Sequence, residues 1–290
     1  MWIWWCIAAA GVHAQQTLDV PFVGTPPAVI DVMLSMAKIG RDDFVVDLGC
    51  GDGRLVIAAA KSLGARGYGV DLDAALINEA QREAERQGVQ DRARFEVRNL
   101  YVTDISRASV LTLYLFPRVN LDLRPRLFRE LKPGTRVVSH EFDFGNWRPD
   151  AQATVEVPEK PYGPPRSSVY LWIIPADASG RWSWRSPHAG GATYEVTLEQ
   201  RFQEVRAVSP ASPAAHRIED ARLSGATLSF VLVSGAEREQ YRGRIDGDTI
   251  SGTVTAGDAT TPWAATRVAR GKMDIEAALT RPRQYSKESR

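Results

Sequence analysis

The stretch Phe-Val-Val-Asp-Leu-Gly-Cys-Gly-Asp-Gly, residues 44–53, decides the fold of the first half of the chain. Residues 44–48 are almost entirely apolar, which is typical of a strand buried on both faces of a parallel sheet. Glycine permits left-handed backbone angles and a close approach of the backbone to a ligand. Because a helical pattern follows over 53–63, the stretch predicts a strand, a tight turn and a helix. The turn contains three glycines at alternate positions: Gly49, Gly51 and Gly53.

The same alternation of strands and helices continues to about residue 174. Further strands are predicted over 67–70, 94–97, 109–115 and 135–139, and further helices over 28–38, 73–87 and 121–131. The runs 154–157 and 168–174 have no helix between them, so they predict a closing antiparallel hairpin. Strands that alternate with helices predict a mostly parallel sheet with helices on both faces. Residues 15–175 are therefore predicted to form one α/β domain.

From residue 180 the chain changes to an all-β pattern. Polar and apolar side chains alternate over 194–199, 226–233, 239–245 and 249–255, and glycines separate these runs. The pattern predicts a small all-β module over 180–270, either a sandwich or a partly closed barrel. Three tryptophans are predicted to share one packed face, with an aromatic platform for a ligand as the alternative: Trp182, Trp184 and Trp263.

The two ends of the chain stand apart from these units. Residues 1–14 contain no Lys, Arg, Asp or Glu, and small residues surround Ala14. This outline predicts a secretory signal peptide cleaved after Ala14, although the usual positive charges at its start are missing. The alternative is an apolar helix packed on the domain. A real signal implies a periplasmic or secreted protein, and otherwise the protein is cytoplasmic. Residues 271–290 are predicted to form a polar tail.

Composition excludes several classes of protein. Of the 290 residues, 44% are hydrophobic and 24% are charged, a globular balance that excludes disorder along the whole chain. The net charge of +1 gives no bulk field to favour nucleic acid or an anionic membrane. Two cysteines exclude a disulfide scaffold and a cysteine-rich zinc site, and no metal is expected. No apolar run reaches the ~18 residues that cross a bilayer.

Four arginines on the helix over 121–131 and just before it are the most basic local feature. They could indicate a nucleic-acid patch, but a solvated helix face is the favoured interpretation, and no nucleic-acid partner is expected. These residues are Arg118, Arg124, Arg126 and Arg129.

Charge distinguishes between the nucleotides that such a turn could bind. Asp71 ends the second predicted strand, where a carboxylate can bind the hydroxyls of a ribose, although it could instead cap the next helix. The turn has the spacing G-x-G-x-G rather than the dinucleotide spacing G-x-G-x-x-G. Asp47 and Asp52 would repel a pyrophosphate at close range but would attract an ammonium group. The turn therefore favours S-adenosylmethionine over NAD.

Four longer stretches of the sequence carry a resemblance to a known family. The chain resembles the class I S-adenosylmethionine-dependent methyltransferases, and most closely the seven-strand protein-lysine methyltransferases related to the mitochondrial enzymes that act on the c-type subunit of ATP synthase and on adenine nucleotide translocase. The resemblance covers about residues 20–174 and implies a Rossmann-like seven-strand sheet there, so the predicted fold is this sheet followed by the small all-β domain. The stretches are FVGTP (22–26), VVDLGCGDGRLVIAAAK (45–61), TLYLFPRVNLDLRPRL (112–127) and SHEFDFGNWRPD (139–150).

This resemblance also assigns cofactor-binding residues. It implies that Asp47 and the three glycines Gly49, Gly51 and Gly53 hold the methionine part of S-adenosylmethionine. Asp71 would then bind the ribose and Asn99 the adenine, while Thr25 and Pro26 would lie over the cofactor. The chain departs from the family at two positions: Gly24 stands where the family usually has proline, and Asn99 where it often has an acid. An amide at position 99 could still accept a hydrogen bond from the adenine amino group.

The sequence indicates the residues that would contact the methyl acceptor less clearly than those that would bind the cofactor. Tyr114 and His140 are the candidate catalytic residues, because they lie at or just past the ends of strands four and five, where α/β sites form. Phe116, Pro117 and Trp147 are the candidate walls of a substrate pocket. His140, or the neighbouring Glu141 or Asp143, could accept the proton that a lysine amine must lose. For each of these residues a purely structural role is the alternative.

The sequence thus predicts a methyltransferase that acts on a protein lysine. Two alternatives remain open, a methyltransferase for small molecules and a non-catalytic binding protein that keeps the fold. The oligomeric state is not predicted.

Overall fold

A computed structural model describes residues 23–161, 163–188, 190–208 and 216–276. The predicted signal segment 1–14 lies outside the described residues, as does most of the predicted tail. Within the described ranges, no helix is long and apolar enough to cross a membrane.

Residues 27–173 form the first unit, which contains a seven-stranded sheet. Its helices are α1 (Pro27–Met36), α2 (Arg54–Leu63), α3 (Ala74–Arg86) and α4 (Pro117–Glu130), with a 3-10 turn over Leu100–Val102. Its strands are β1 (Phe44–Leu48), β2 (Arg66–Asp71), β3 (Ala93–Val97), β4 (Val110–Leu113), β5 (Arg136–His140), β6 (Ala151–Glu156) and β7 (Arg166–Ile173).

The strand order is β3-β2-β1-β4-β5-β7-β6, in which the first five strands are parallel and β7 and β6 are antiparallel. The predicted α/β class and the closing hairpin are confirmed. β1 pairs with β2 on one side and with β4 on the other, so the strand order reverses at β1. Ligands bind in α/β sheets beyond the carboxyl ends of the strands at such a reversal.

The second unit is a single antiparallel sheet of eight strands. They are β8 (Gly180–Arg185), β9 (Thr193–Arg201), β10 (Glu204–Val208), β11 (His216–Ser224), β12 (Thr227–Ser234), β13 (Glu237–Asp246), β14 (Thr249–Ala256) and β15 (Ala259–Arg270). Neighbours follow chain order, and β15 returns to pair with β8, which leaves β10 and β11 as the edges. These two edge strands approach each other. Of the two predicted architectures, the structure is the partly closed barrel.

Aromatic rings fill the interior of this barrel. Trp182, Trp184 and Trp263 are all buried there, together with Phe230 and Tyr241. The Trp263 ring lies 4.8 Å from that of Tyr241 and 5.8 Å from that of Trp184, in edge-to-face contacts that stabilise a packed core. The tryptophans therefore form one packed face, as predicted, and do not form an exposed platform.

The turn between β9 and β10 anchors the barrel to the first unit. Phe202 is buried there against Phe128 and Trp147, with its ring 5.9 Å from that of Trp147. Trp147 Nε1 donates a 2.8 Å hydrogen bond to Gln203 Oε1, and Gln203 Nε2 donates to Arg148 O at 2.7 Å. The prediction that Trp147 lines a substrate pocket is corrected. Its side chain is fully buried, because the second unit covers it.

The arginines of α4 also differ from the prediction. Arg118 and Arg129 are exposed, in keeping with a solvated face, but Arg124 and Arg126 are largely buried. Arg124 Nη1 donates to Phe144 O at 2.9 Å, and Arg126 Nη1 donates to Leu100 O at 2.8 Å. The expectation of a solvated face is wrong for these two residues, because they tie α4 to the loops on either side of it.

Candidate cofactor and acceptor site

The glycine turn after β1 has a backbone that requires glycine. Gly49, Gly51 and Gly53 have φ angles of 78°, 54° and 74°, which lie in the left-handed region. The Gly49 amide donates a 2.8 Å hydrogen bond to Val70 O, which ties the turn to β2. A Cβ atom at Gly53 would lie 2.6 Å from the Phe95 ring. The turn therefore brings the backbone between β1 and α2 close to the end of β2.

A cleft opens beyond the carboxyl ends of β1, β2 and β4, and encloses about 1230 Å³ of space, including open solvent at its mouth. Gly51 and Gly53 shape the turn beside it, and Pro26 is the N-cap of α1. Six of the residues predicted from the sequence line the cleft: Thr25, Asp47, Gly49, Asp71, Asn99 and Tyr114.

Asp47 is the most perturbed acid of the cleft. Its side chain is buried, and it accepts a 2.8 Å hydrogen bond from Thr112 Oγ1. Burial, followed by the charges of Asp71 and Asp52, raises the pKa of Asp47 to about 7. Asp52 is paired with Arg54 at 2.6 Å, whereas no ion pair joins Asp47 to a described cationic side chain. A cationic ligand in the cleft would therefore stabilise the ionised form of Asp47.

Asp71 bridges the glycine turn and the start of α3. Its Oδ2 accepts from the Gly51 amide and its Oδ1 from the Asp73 amide, both at 3.0 Å. Asp73, rather than Asp71, is the N-cap of α3, since its side chain accepts from the amide of Ala75 at 2.8 Å. The helix-cap alternative for Asp71 is therefore wrong. Each carboxylate oxygen has more than one lone pair, so Asp71 can still accept from ribose hydroxyls.

Asn99 caps the 3-10 turn that follows β3. Its Oδ1 accepts a 2.8 Å hydrogen bond from the Tyr101 amide. The oxygen that was expected to accept from the adenine amino group thus already uses one of its two lone pairs for the backbone, which leaves only one for the adenine. Its Nδ2 is a donor, and it cannot pair with an amino group. An acid at this position would have a second oxygen for that role.

Arg54 is a residue of the site that the sequence analysis missed. Its Nη1 donates to Thr25 O at 3.2 Å, and its Nη2 pairs with Asp52. The guanidinium crosses over Gly24 so closely that a Cβ there would lie 2.5 Å from it. Glycine in place of the family's usual proline therefore leaves the space that Arg54 occupies. The sequence feature that could have indicated this contact was Gly24, which stands where the family usually has proline.

His140 lies behind the cleft rather than in its wall. It is fully buried, its ring lies 3.9 Å from that of Tyr114, and its Nδ1 is 3.3 Å from Thr25 Oγ1. Burial lowers the pKa of His140 to about 4. The imidazole is therefore neutral near pH 7 and is too weak a base to take a proton from an ammonium group. Its contacts give it a positioning role toward Tyr114 and Thr25.

Tyr114, Phe116 and Phe142 form an aromatic rim next to the cleft. The Phe142 ring lies 6.4 Å from that of Tyr114 and 6.1 Å from that of Phe116. Phe116 is 42% exposed, and Pro117 begins α4 immediately after it. Phe142 was not singled out from the sequence, although it belongs to the SHEFDFGNWRPD stretch.

In the described part of the chain, no group of three or more His, Cys, Asp or Glu residues is placed to hold a metal.

Together these groups fit S-adenosylmethionine. The cofactor has an ammonium and a sulfonium group, which match the buried Asp47, and a ribose diol, which matches Asp71. A pyrophosphate would add negative charge beside the carboxylates of Asp47, Asp52 and Asp71, which argues against a dinucleotide.

Comparisons with known proteins identify methyltransferases as relatives of the first unit. A family model described as the ANTKMT methyltransferase domain matches residues 47–151. A protein-lysine N-methyltransferase of Saccharolobus islandicus is 45% identical over 156 residues, which are 53% of this chain and 94% of that protein. The human lysine N-methyltransferase named for the c-type subunit of ATP synthase is 35% identical over 137 residues, 47% of this chain and 58% of that protein.

A solved structure described as an RNA methyltransferase from Salinibacter ruber in complex with S-adenosyl-L-homocysteine is 46% identical. The match covers 52% of this chain and 93% of that one, with a TM-score of 0.47. The likeness to the Saccharolobus islandicus enzyme extends over almost the whole of that protein. The chain therefore belongs to the ANTKMT methyltransferase family and is an S-adenosylmethionine-dependent methyltransferase.

Proposed function

We propose that the methyl acceptor is the ε-amine of a lysine in a protein. The relatives that match the first unit support this substrate, because the Saccharolobus islandicus and human enzymes are both named as lysine N-methyltransferases. The observation in this chain that carries the proposal is the partly exposed aromatic rim of Tyr114, Phe116 and Phe142 beside the cofactor cleft. Such a rim can pack on the four-carbon stem of a lysine and hold its cationic head.

S-adenosylmethionine supplies a methyl group on a sulfonium, which is already a strong electrophile. The protein therefore has to bind and orient the two reactants. Asp47 would hold the ammonium of the cofactor and Asp71 its ribose, and Tyr114 belongs both to the cleft lining and to the rim.

The acceptor must lose a proton before it can attack. A lysine amine has a pKa of ~10.4 in water, and burial against aromatic rings lowers that pKa because it disfavours the charged form. Since the neutral His140 is a poor proton acceptor, the proton is released to solvent at the open mouth of the cleft.

The substrate class can be tested by incubating the purified chain with methyl-labelled S-adenosylmethionine and a cell extract. The products are then separated into protein, nucleic acid and small molecules. Label in protein, removed by protease and absent with Asp47→Asn, is the expected result. Label confined to the small-molecule or RNA fraction would overturn the protein substrate but leave the methyltransferase assignment intact.

We further propose that residues 1–14 direct export of the chain, on the basis of their uncharged, apolar composition. A mature protein that begins at Gln15 and appears in the periplasmic fraction is expected. An intact N-terminus on protein from the cytosolic fraction would contradict export. The test is cell fractionation followed by N-terminal sequencing.

A further inference from the structure

A lysine and a glutamate of this chain meet beside the aromatic rim. Lys160 Nζ lies 2.8 Å from Glu141 Oε2 and also donates to Arg166 O at 2.8 Å. The Lys160 side chain is only 10% exposed and that of Glu141 24% exposed. Taking a lysine ammonium out of water is costly unless a carboxylate compensates for the lost hydration. Glu141 therefore forms a site that already accepts a lysine head group.

The backbone presents Glu141 in an uncommon conformation. Its φ is 67°, in the left-handed region that residues other than glycine rarely adopt, and its amide donates to Ser168 O at 2.7 Å. Such a conformation persists only when the surrounding structure holds it, and it is found preferentially at functional sites. Here it places a carboxylate immediately after β5, next to Phe142 of the rim.

The glutamate is also linked to the cofactor cleft through a short chain of contacts. Its Oε2 lies 3.9 Å from His140 Nε2, a buried atom that has no hydrogen-bond partner. His140 in turn contacts Tyr114 and Thr25, which both line the cleft. The carboxylate is thus separated from the cofactor cleft by one layer of side chains.

Lys160 reaches this position from an exposed loop. Among the described residues of the segment 158–165, Lys160 alone is not exposed, and its amide donates to Val157 O in a turn. The backbone hydrogen bonds described for this segment close its own loop, since the Val157 amide also donates to Pro165 O at 2.8 Å. Lys160 can therefore leave Glu141 with little disturbance of β6 and β7.

We propose that Glu141 binds the ammonium of a second lysine of the protein substrate, one that flanks the acceptor lysine, and that Lys160 of the same chain occupies this position until that lysine displaces it. The proposal rests on the amine substrate proposed above and goes beyond it, because it assigns a specificity-determining carboxylate and an internal competitor. No bond is made or broken in this step. One ammonium group replaces another of the same chemistry at one carboxylate.

The test uses n-butylammonium as a probe of the lysine head group, with binding measured by calorimetry on the full chain saturated with S-adenosylhomocysteine. Lys160→Met keeps the stem but removes the competing charge, so it is expected to bind the probe about tenfold more tightly than the wild-type chain. Adding Glu141→Gln to that variant is expected to abolish binding. Lys132→Met, which removes an exposed lysine elsewhere, is the matched control and is expected to bind like the wild type. Probe affinity in Lys160→Met no higher than in the wild-type chain would overturn the proposal.

Hydrogen exchange on the wild-type chain gives a second test, which needs no variant to fold. Added n-butylammonium is expected to speed exchange of the Lys160 and Val157 amides, which are hydrogen-bonded within this loop, because it releases Lys160 from Glu141. Unchanged or slower exchange at saturating probe would overturn the proposal. The two tests do not depend on methyl transfer, so a failed protein substrate and a failed Glu141 site give different results.

Discussion

The pKa of Asp47 leads to a quantitative prediction about cofactor binding. The experiment compares the binding of S-adenosylmethionine at about pH 8 with its binding at about pH 6. Asp47 has a pKa of about 7 in the protein without ligand, because it is buried near two other acids. S-adenosylmethionine is cationic at this site, so it binds the form in which Asp47 is ionised. As the pH falls through 7, the site must lose a proton before the cofactor binds, and the affinity must fall.

The magnitude follows from the titration of one group. About nine tenths of Asp47 is ionised near pH 8 and about one tenth near pH 6, so the Kd of S-adenosylmethionine is expected to rise about tenfold. Calorimetry in two buffers of different ionisation enthalpy measures both the Kd and the proton that binding releases near pH 6. The control is Asp47→Asn, which is expected to bind weakly at either pH and to lose the pH dependence. A wild-type Kd that is constant between these pH values, with no proton released, would refute the role assigned to Asp47.

Substitutions at Asn99, Phe202 and Gly53 test three other contacts in the structure. Asn99→Asp is expected to tighten binding of S-adenosylmethionine several-fold in calorimetry, because the new oxygen can accept from the adenine amino group at a net gain of about 0.5–1.5 kcal/mol; equal or weaker binding contradicts this. Phe202→Ala is expected to lower the free energy of unfolding by about 3–5 kcal/mol in urea denaturation, whereas Phe116→Ala, at a half-exposed ring, has a small effect. Gly53→Ala is expected to lower the melting temperature much more than Gly88→Ala, since both have a positive φ but only the former would push a Cβ into neighbouring side chains; equal losses would show that backbone strain alone matters.

The residues on the cofactor side of the site could be predicted because they directly follow strands in the sequence. Asp47, the glycines and Asp71 follow directly from buried strands, so a correct strand prediction sets their position at the edge of the sheet. The Asn99 side chain was placed correctly, but its oxygen is engaged by the backbone of the next turn, a local contact that residue type alone does not reveal.

The acceptor side was predicted less well because its residues meet only in three dimensions. Trp147 looked like a pocket wall, but Phe202 of the second unit, far away in sequence, buries it. The residues around Phe202 carry no pattern that indicates such an interface. Glu141 and Lys160 are 19 positions apart and come from different elements, so their contact could not be read from spacing.

The contact at Phe202 also bears on the predicted division of the chain. The prediction of one α/β domain over residues 15–175 implies that a fragment ending near residue 175 folds and binds cofactor alone. Removing the second unit, however, would expose the buried ring of Trp147 and more of the partly buried ring of Phe128 to water. Comparing the melting temperature and cofactor affinity of residues 15–175 with those of the full chain tests the division. A fragment that melts cooperatively and binds cofactor supports it, and one that does neither contradicts it.

We propose that this S-adenosylmethionine-dependent methyltransferase transfers methyl groups to protein lysine. The most direct measurement is amino-acid analysis of extract proteins that the chain has labelled with methyl-tritiated cofactor, after complete acid hydrolysis. The label is expected to elute as Nε-methylated lysine, with S-adenosylhomocysteine formed in matching amount. Label recovered as methylated arginine or histidine, or no label in protein despite tight cofactor binding, would contradict it.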